Sequence, residues 1–186
     1  MDETGAYGAP KTEAGSATIG TSVTVAHADY AQDAWFSADG TAANEYTAVV
    51  AENGSTVLKL YYKRAQYDVV IDGAAAVPVY HGAEITAPET STATPAGYVL
   101  ESWNDGAYAK GDVITVAGPL TLAPKFAAGT SEYTINTYEM GLDGEYGAAV
   151  SSETKTATTD STVTYTAPAV EGFKADKDSY SVKVTG

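Results

Sequence analysis

The stretch Thr56-Val57-Leu58-Lys59-Leu60-Tyr61-Tyr62-Lys63 carries the clearest strand signal in the chain. Its residues are the β-branched, leucine and aromatic types that fit a pleated, half-buried surface. Asn53-Gly54 stands just ahead of it, and this dipeptide favours a type I′ hairpin turn because both residues tolerate positive φ. Working outward, short runs of alternating character recur at residues 22–25, 46–50, 67–71, 77–80, 98–103, 112–116, 120–125, 133–138, 162–166 and 180–184. Turn-formers separate them: Asp72-Gly73, His81-Gly82, Asn104-Asp105-Gly106, Lys110-Gly111, Ala117-Gly118-Pro119 and Asp143-Gly144. Only residues 29–37 and 169–177 leave room for a short helix. The sequence therefore predicts a fold that is all-β to α+β.

Composition narrows the function classes. The 24 acidic side chains outnumber the 10 basic ones, for a formal net charge of −14. A surface this acidic repels phosphate backbones and anionic lipid headgroups, so neither nucleic acid nor a membrane surface is an expected partner. No apolar run approaches the roughly 20 residues that a membrane helix needs, and no secretory-signal pattern stands at the amino terminus. The absence of cysteine removes disulfides, zinc–thiolate sites and thiol nucleophiles. The charge is also even: residues 1–65, 66–128 and 129–186 carry nets of −4, −5 and −5. An even negative charge keeps an extended protein soluble and discourages side-by-side collapse.

The ends of the chain resemble each other. Met1, Gly5, Tyr7 and Gly8 align with Met140, Gly144, Tyr146 and Gly147. Further on, Val23-Thr24 falls on Val163-Thr164, and residues 46–50 fall on 180–184. The first and last thirds thus read as two copies of one module, with a different module between them. The expected boundaries are 1–65, 66–127 and 128–186. The second copy opens with a strand at 132–139 that the first lacks, and the first closes with a strand at 55–63 that the second lacks. The chain therefore reads as a window on a longer tandem array, out of phase with its modules.

Two family resemblances follow from particular residues. In the middle module, Asp72-Gly73, the run Val77, Val79 and Gly82, and the step from Ile85 to Pro88 match the Listeria–Bacteroides repeat, also called the internalin B-type repeat. So do Gly97-Tyr98 with Trp103 beyond, and the closing Leu120, Leu122 and Phe126. Ser102 stands where that family usually has Gly, and Phe126 where it usually has Trp. The flanking modules resemble MucBP-like (mucin-binding-protein) repeats through Tyr133, Ile135 and Tyr138, through Asp143-Gly144-Glu145-Tyr146, and through Glu171-Gly172-Phe173. The first copy departs at the last point, where it has Asp33-Ala34-Trp35. The resemblance implies tandem small β-grasp (ubiquitin-like) modules in an elongated array. It places them in a protein secreted by, or anchored to the cell wall of, a Gram-positive-type bacterium, with host glycan or mucin as a possible ligand of some members. Modules of about 60 residues are marginal alone, and tandem neighbours can cover one another's ends.

No reaction is legible. His27 and His81 lack a nucleophile signature around them and read as surface or turn histidines. The Asp-rich turns lack the alternating acidic ligands of a calcium loop, and Asp-Gly and Asn-Gly simply make turns. Asn53-Gly54-Ser55 matches a glycosylation sequon that a hairpin tip explains equally well. Lys59 and Lys125 are the strand lysines to weigh for an intramolecular isopeptide bond, yet no partner Asn stands out. Tyr98 and Trp103 read as module core rather than as a sugar platform. The chain is therefore expected to be a non-enzymatic surface-protein segment with no cofactor and no metal.

Its expected partners are other copies of itself, neighbouring repeats, or glycans. The candidate self-assembly strands are Val57, Leu58, Leu60, Tyr61 and Tyr62 on one side and Tyr133, Ile135 and Tyr138 on the other. Unpaired edges of incomplete end modules would complement one another head to tail, building fibres. A host glycan- or mucin-binding adhesin module is the alternative.

Overall fold

β-branched and aromatic residues at alternating positions, punctuated by Gly and Asp at positive φ, give short strands and tight turns along nearly the whole chain. The structure, a computed structural model, describes residues 2–30 and 33–186. Fifteen strands occur among them, and no α-helix; helical backbone is confined to two single 3₁₀ turns, His27–Asp29 and Asn104–Gly106. The fold is nearly all-β and made of small sheets. The chain forms two compact units, one of Met1–Thr86 with Val113–Leu122 and one of Ala87–Asp112 with Ala123–Gly186.

The first unit holds two antiparallel ribbons near the amino terminus: β1 (Ser22–Thr24) with β3 (Thr47–Val49), and β2 (Phe36–Ala38) with β4 (Tyr62–Arg64). A three-stranded sheet follows. In it β5 (Gln66–Ile71) lies between β6 (Val77–Tyr80), which is antiparallel to it, and β10 (Leu120–Leu122), which is parallel. β7 (Glu84–Thr86) pairs with β9 (Val113–Thr115). The turn from β5 to β6 has positive φ at both Asp72 and Gly73, as a type I′ turn requires, and is closed by Ala74 N–H on Ile71 O at 3.0 Å. Val69, Ile114, Val116 and Leu122 are the buried apolar residues of this unit.

The second unit is three antiparallel pairs. β8 (Tyr98–Trp103) pairs with β11 (Pro124–Ala128) across a bulge between Lys125 and Phe126. β12 (Thr130–Thr137) pairs with β13 (Ser151–Thr158) over eight residues. β14 (Thr162–Thr166) pairs with β15 (Ser179–Lys183). Trp103 is fully buried and donates its indole N–H to Pro88 O at 2.9 Å, which satisfies its polar atom. It is a core residue, not a sugar platform.

Four sequence expectations are corrected. No helix forms at 169–177, which holds only a turn closed by Phe173 N–H on Val170 O. At 29–37 a 3₁₀ turn ends at Asp29 and β2 begins at Phe36; residues 31 and 32 lie outside the described ones. The strand expected over 56–63 shrinks to an isolated bridge, Lys59 with Glu45, and to β4. The turn before it is also not type I′. Gly54 has φ +70° but Asn53 does not have positive φ, and the turn closes one residue earlier, with Gly54 N–H on Ala51 O at 3.3 Å. Asn53 instead uses its side-chain oxygen to accept Ser55 N–H at 3.1 Å, a local bond that competes with the hairpin geometry.

Candidate functional site

The predicted assembly residues fall in both units. Val57 is 62% exposed, while Leu58, Leu60, Tyr61 and Tyr62 are half-buried. The backbone around Tyr61 is held largely by groups outside a sheet: Asn44 Oδ1 accepts Tyr61 N–H at 2.8 Å, and Tyr61 O accepts Asp39 N–H at 2.9 Å. Side-chain and loop partners thus occupy groups that a longer strand would pair. Tyr133 and Ile135 sit in β12 on its half-buried face with Ser131 and Thr137; Tyr138 lies just beyond the strand and is half exposed.

Both histidines lie in turns, His27 in the first 3₁₀ turn and His81 just after β6, and both are half-buried in aromatic clusters. His27 lies edge-on to Tyr46 and Tyr62, with Nε2 2.9 Å from Tyr61 O. His81 stacks on Trp35 at 4.6 Å with the rings 13° apart and meets the edge of Tyr67. Its Nδ1 is buried without a hydrogen-bond partner. Arg64 donates to His81 O at 2.9 Å and spreads its guanidinium over the Phe36 ring. Among the described residues no hydroxyl is hydrogen-bonded to either ring.

A polar latch that the sequence reading passed over ties the amino-terminal segment down. Asp39 is 4% exposed. Its Oδ1 accepts Thr41 Oγ1–H at 2.6 Å and Thr41 N–H at 3.1 Å, and its Oδ2 accepts the Tyr7 hydroxyl. The Tyr7 ring meets Tyr61 edge-on at 4.8 Å. The Thr41 hydroxyl, then the Tyr7 hydroxyl, stabilise the carboxylate and hold Asp39 down at about 2. The same carboxylate, accepting the phenol proton, pushes Tyr7 up to about 12. The spacing Asp39-Gly40-Thr41 is an Asx-turn pattern and was the available signal.

Several other charged groups form exposed ion pairs. Lys59 meets Glu45 at 3.3 Å and Lys125 meets Glu101 at 3.1 Å. Lys183 meets Asp160 at 2.6 Å, and Asp160 also accepts the Tyr98 hydroxyl. Lys183 and then Tyr98 hold the Asp160 carboxyl below its usual range. Among the described residues no three His, Asp or Glu side chains converge as metal ligands, and no helix is long and apolar enough to cross a membrane.

Two segments, residues 18–50 and residues 158–184, share a local geometry that side-chain similarity alone understates. Thr18-Ile19-Gly20-Thr21 and Thr158-Thr159-Asp160-Ser161 form the same turn, with positive φ at Gly20 and at Asp160. Thr21 N–H and Ser161 N–H each reach the Thr three residues back at 3.1 Å, and their hydroxyls reach the same carbonyls. Gly20 N–H meets Val50 O at 2.9 Å, and Asp160 N–H meets Val184 O at 2.8 Å. The ribbons that follow are in equivalent register, Val23 opposite Ala48 and Val163 opposite Val182.

What precedes the turn differs. β13 leads into the turn at 158–161 and is paired to β12 throughout. Residues 11–18 lead into the turn at 18–21; they share Glu13, Ala17 and Thr18 with Glu153, Ala157 and Thr158. They are exposed and outside any strand, and from Lys11 to Ala17 no backbone group is hydrogen-bonded among the described residues. Comparison with family models, with curated proteins and with solved structures finds no match to this chain.

Proposed function

We propose that the chain is a structural segment of a bacterial extracellular surface protein, made of tandem β modules that associate through open strand edges. The observation that carries this reading is the stretch 11–18, which joins no strand ladder among the described residues while its counterpart β13 is paired along its whole length. Unpaired edges recruit strands. The reading keeps the modules at 1–65, 66–127 and 128–186, the middle one of internalin B type and the outer two MucBP-like. A β-grasp architecture is supported in the middle module by the β5–β6 hairpin with β10 running parallel beside β5. Copies join head to tail into fibres, and the protein works outside the cell, secreted or held in the wall, as a stalk or filament element without catalysis. Light scattering behind size exclusion across a concentration series, with electron microscopy of the same fractions, tests it. Regular fibres or concentration-dependent oligomers are the expected result; a strict monomer at every concentration refutes the assembly.

A second reading draws on one loop. Tyr138, Met140, Leu142 and Tyr146 are all exposed between β12 and β13, with Met140 bridged to Tyr146. Exposed aromatic faces are what a glycan-binding adhesin uses. That reading expects saturable binding of mucin oligosaccharides that is lost in the Tyr138→Ala, Tyr146→Ala double variant.

A further inference from the structure

The chain holds its asparagines in contrasting settings. Asn44 is locked: its Nδ2 donates to Asp39 O at 2.7 Å and to Ala42 O at 3.2 Å, and its Oδ1 accepts Tyr61 N–H at 2.8 Å. The amide that follows it, Glu45 N–H, is bonded to Lys59 O at 2.8 Å. Asn104 accepts Ala123 N–H at 2.7 Å and precedes Asp105, and Asn136 lies inside β12, opposite Ser152. Asn53 differs in each respect. It is exposed in the loop after β3, and the residue that follows it is glycine. Among the described residues nothing hydrogen-bonds its Nδ2.

The loop is also arranged to react with itself. Asn53 Oδ1 accepts Ser55 N–H at 3.1 Å, an Asx turn whose ring contains both Asn53 Cγ and Gly54 N. That bond restrains the carboxamide beside Gly54 N, and the donor polarises the carbonyl and is placed to stabilise an oxyanion on it. Gly54 N–H is held only by Ala51 O at 3.3 Å, longer than the roughly 2.7–3.2 Å of an ordinary N–H···O bond. A Cβ at Gly54 would meet nothing within 4 Å, so the nitrogen stands in open space. At the base of the loop, Thr56 Oγ1 accepts Ala51 N–H at 2.8 Å and donates to Val49 O at 3.3 Å, which fixes the two ends.

We propose that Asn53 is a site of self-modification, converted through a five-membered succinimide to aspartate and isoaspartate with water as the co-reactant. Gly54 N loses its proton to solvent base and attacks Asn53 Cγ. The new bond closes the ring, the Cγ–Nδ2 bond breaks, and Nδ2 leaves as ammonia with a proton returned from solvent. Water then opens the ring at one of its two carbonyls. Cleavage between Cγ and Gly54 N gives aspartate. Cleavage between the main-chain carbonyl carbon and Gly54 N gives isoaspartate, in which the main chain runs through Cγ. Nothing is oxidised or reduced. The product adds a carboxylate next to Glu52, and the isoaspartyl form lengthens the loop by a methylene. The proposal is independent of whether the chain assembles.

The test is to incubate the freshly purified full chain at mildly alkaline pH beside a peptide of residues 49–58 as the unfolded reference, with peptide mapping by mass spectrometry over time. The expected result is a gain of about 1 Da confined to residue 53, split between two isomers that chromatography separates. Conversion in the folded chain should be no more than about tenfold slower than in the peptide, since the loop keeps the reacting atoms together. It should also quicken as pH rises, because the nucleophile must lose its proton. Asn44, Asn104 and Asn136 should keep their amides over the same period, and Asn53→Gln, which would need a larger ring, should hold its full mass. Conversion at Asn53 slower than that limit overturns the proposal, and so does another asparagine converting first. An equal gain in the Asn53→Gln chain overturns the assignment to Asn53.

Discussion

Leu122→Ala is the substitution that most directly tests where the core of the first unit lies. Along β10 the side chains alternate, with Leu120 half-buried, Thr121 exposed and Leu122 fully buried. Leu122 sits opposite Ile71 in the parallel ladder, and its carbonyl accepts Asp72 N–H at 3.0 Å, so the backbone cannot shift to fill a void. Truncating a fully buried leucine in a site that does not collapse costs about 3 kcal/mol, within a range of about 2–5. A unit of this size has roughly 5–15 kcal/mol of total stability, so the loss is a sizeable part of it. For a domain of about 100 residues, 1 kcal/mol moves the melting temperature by about 4–8 °C, which sets the expected fall at about 12–24 °C. Val77→Ala, in the same sheet but 58% exposed, is the control and should cost under about 1 kcal/mol. The assay is thermal unfolding by circular dichroism with urea midpoints alongside. A fall for Leu122→Ala no larger than for Val77→Ala would refute the register that turns Leu122 inward.

The Tyr7–Asp39 bond predicts two pH windows. Asp39 is held at about 2 in the fold against 3.8 for the free group, so its contribution is present above about 4 and fades as pH falls toward 2. Tyr7 is raised from 10.0 to about 12, so its contribution is full below 10 and fades as pH rises toward 12. Tyr7→Phe should flatten the alkaline loss and shrink the acid one; melting curves from pH 2 to 11 check both, and an unchanged alkaline limb would contradict the latch. Gly97 has φ +75°, and a Cβ there would come within 2.6 Å of both Ser131 Oγ and Thr159 Oγ1. Gly97→Ala should therefore destabilise by at least about 1–2 kcal/mol, read as a lower urea midpoint. Lys59 and Lys125 are exposed and ion-paired to carboxylates, so intact-mass measurement should give the full sequence mass; a loss of one ammonia would show an isopeptide bond instead.

The sequence read most accurately where alternating apolar residues also found a backbone partner. The runs at 77–80, 98–103 and 162–166 match Val77–Tyr80, Tyr98–Trp103 and Thr162–Thr166 residue for residue. The run at 120–125 divides into β10 and β11 because Leu122 and Phe126 serve different ladders, one with β5 and one with β8. The strongest propensity signal, 56–63, misled because strand propensity measures fit to a sheet surface, and Asn44, Asp39 and the bridge to Glu45 claim that backbone instead. β13 was missed for the opposite reason. Ser151, Ser152, Thr154, Lys155 and Thr156 offer no apolar alternation, and only pairing with β12 makes them a strand. The latch at Asp39 was hidden because its two partners lie on either side of it, one close and one 32 residues away.

That β13 depends on its partner bears on what residues 11–18 do. A segment with weak intrinsic strand preference takes its conformation from whatever ladder it joins, since each residue ordered without a bond loses backbone entropy of about 1–2 kcal/mol with nothing to offset it. With β12 beside it, the Ser/Thr-rich sequence of β13 is an eight-residue strand. The related sequence at 11–18, with Ala14 and Gly15 in place of Thr154 and Lys155, has still less preference of its own and is irregular. The turn beyond it is already formed, with Gly20 and Thr21 bonded as Asp160 and Ser161 are. That turn is formed with no ladder ahead of it, so its geometry belongs to residues 18–21 and to the bond of Gly20 N–H on Val50 O, and it does not wait on the strand before it.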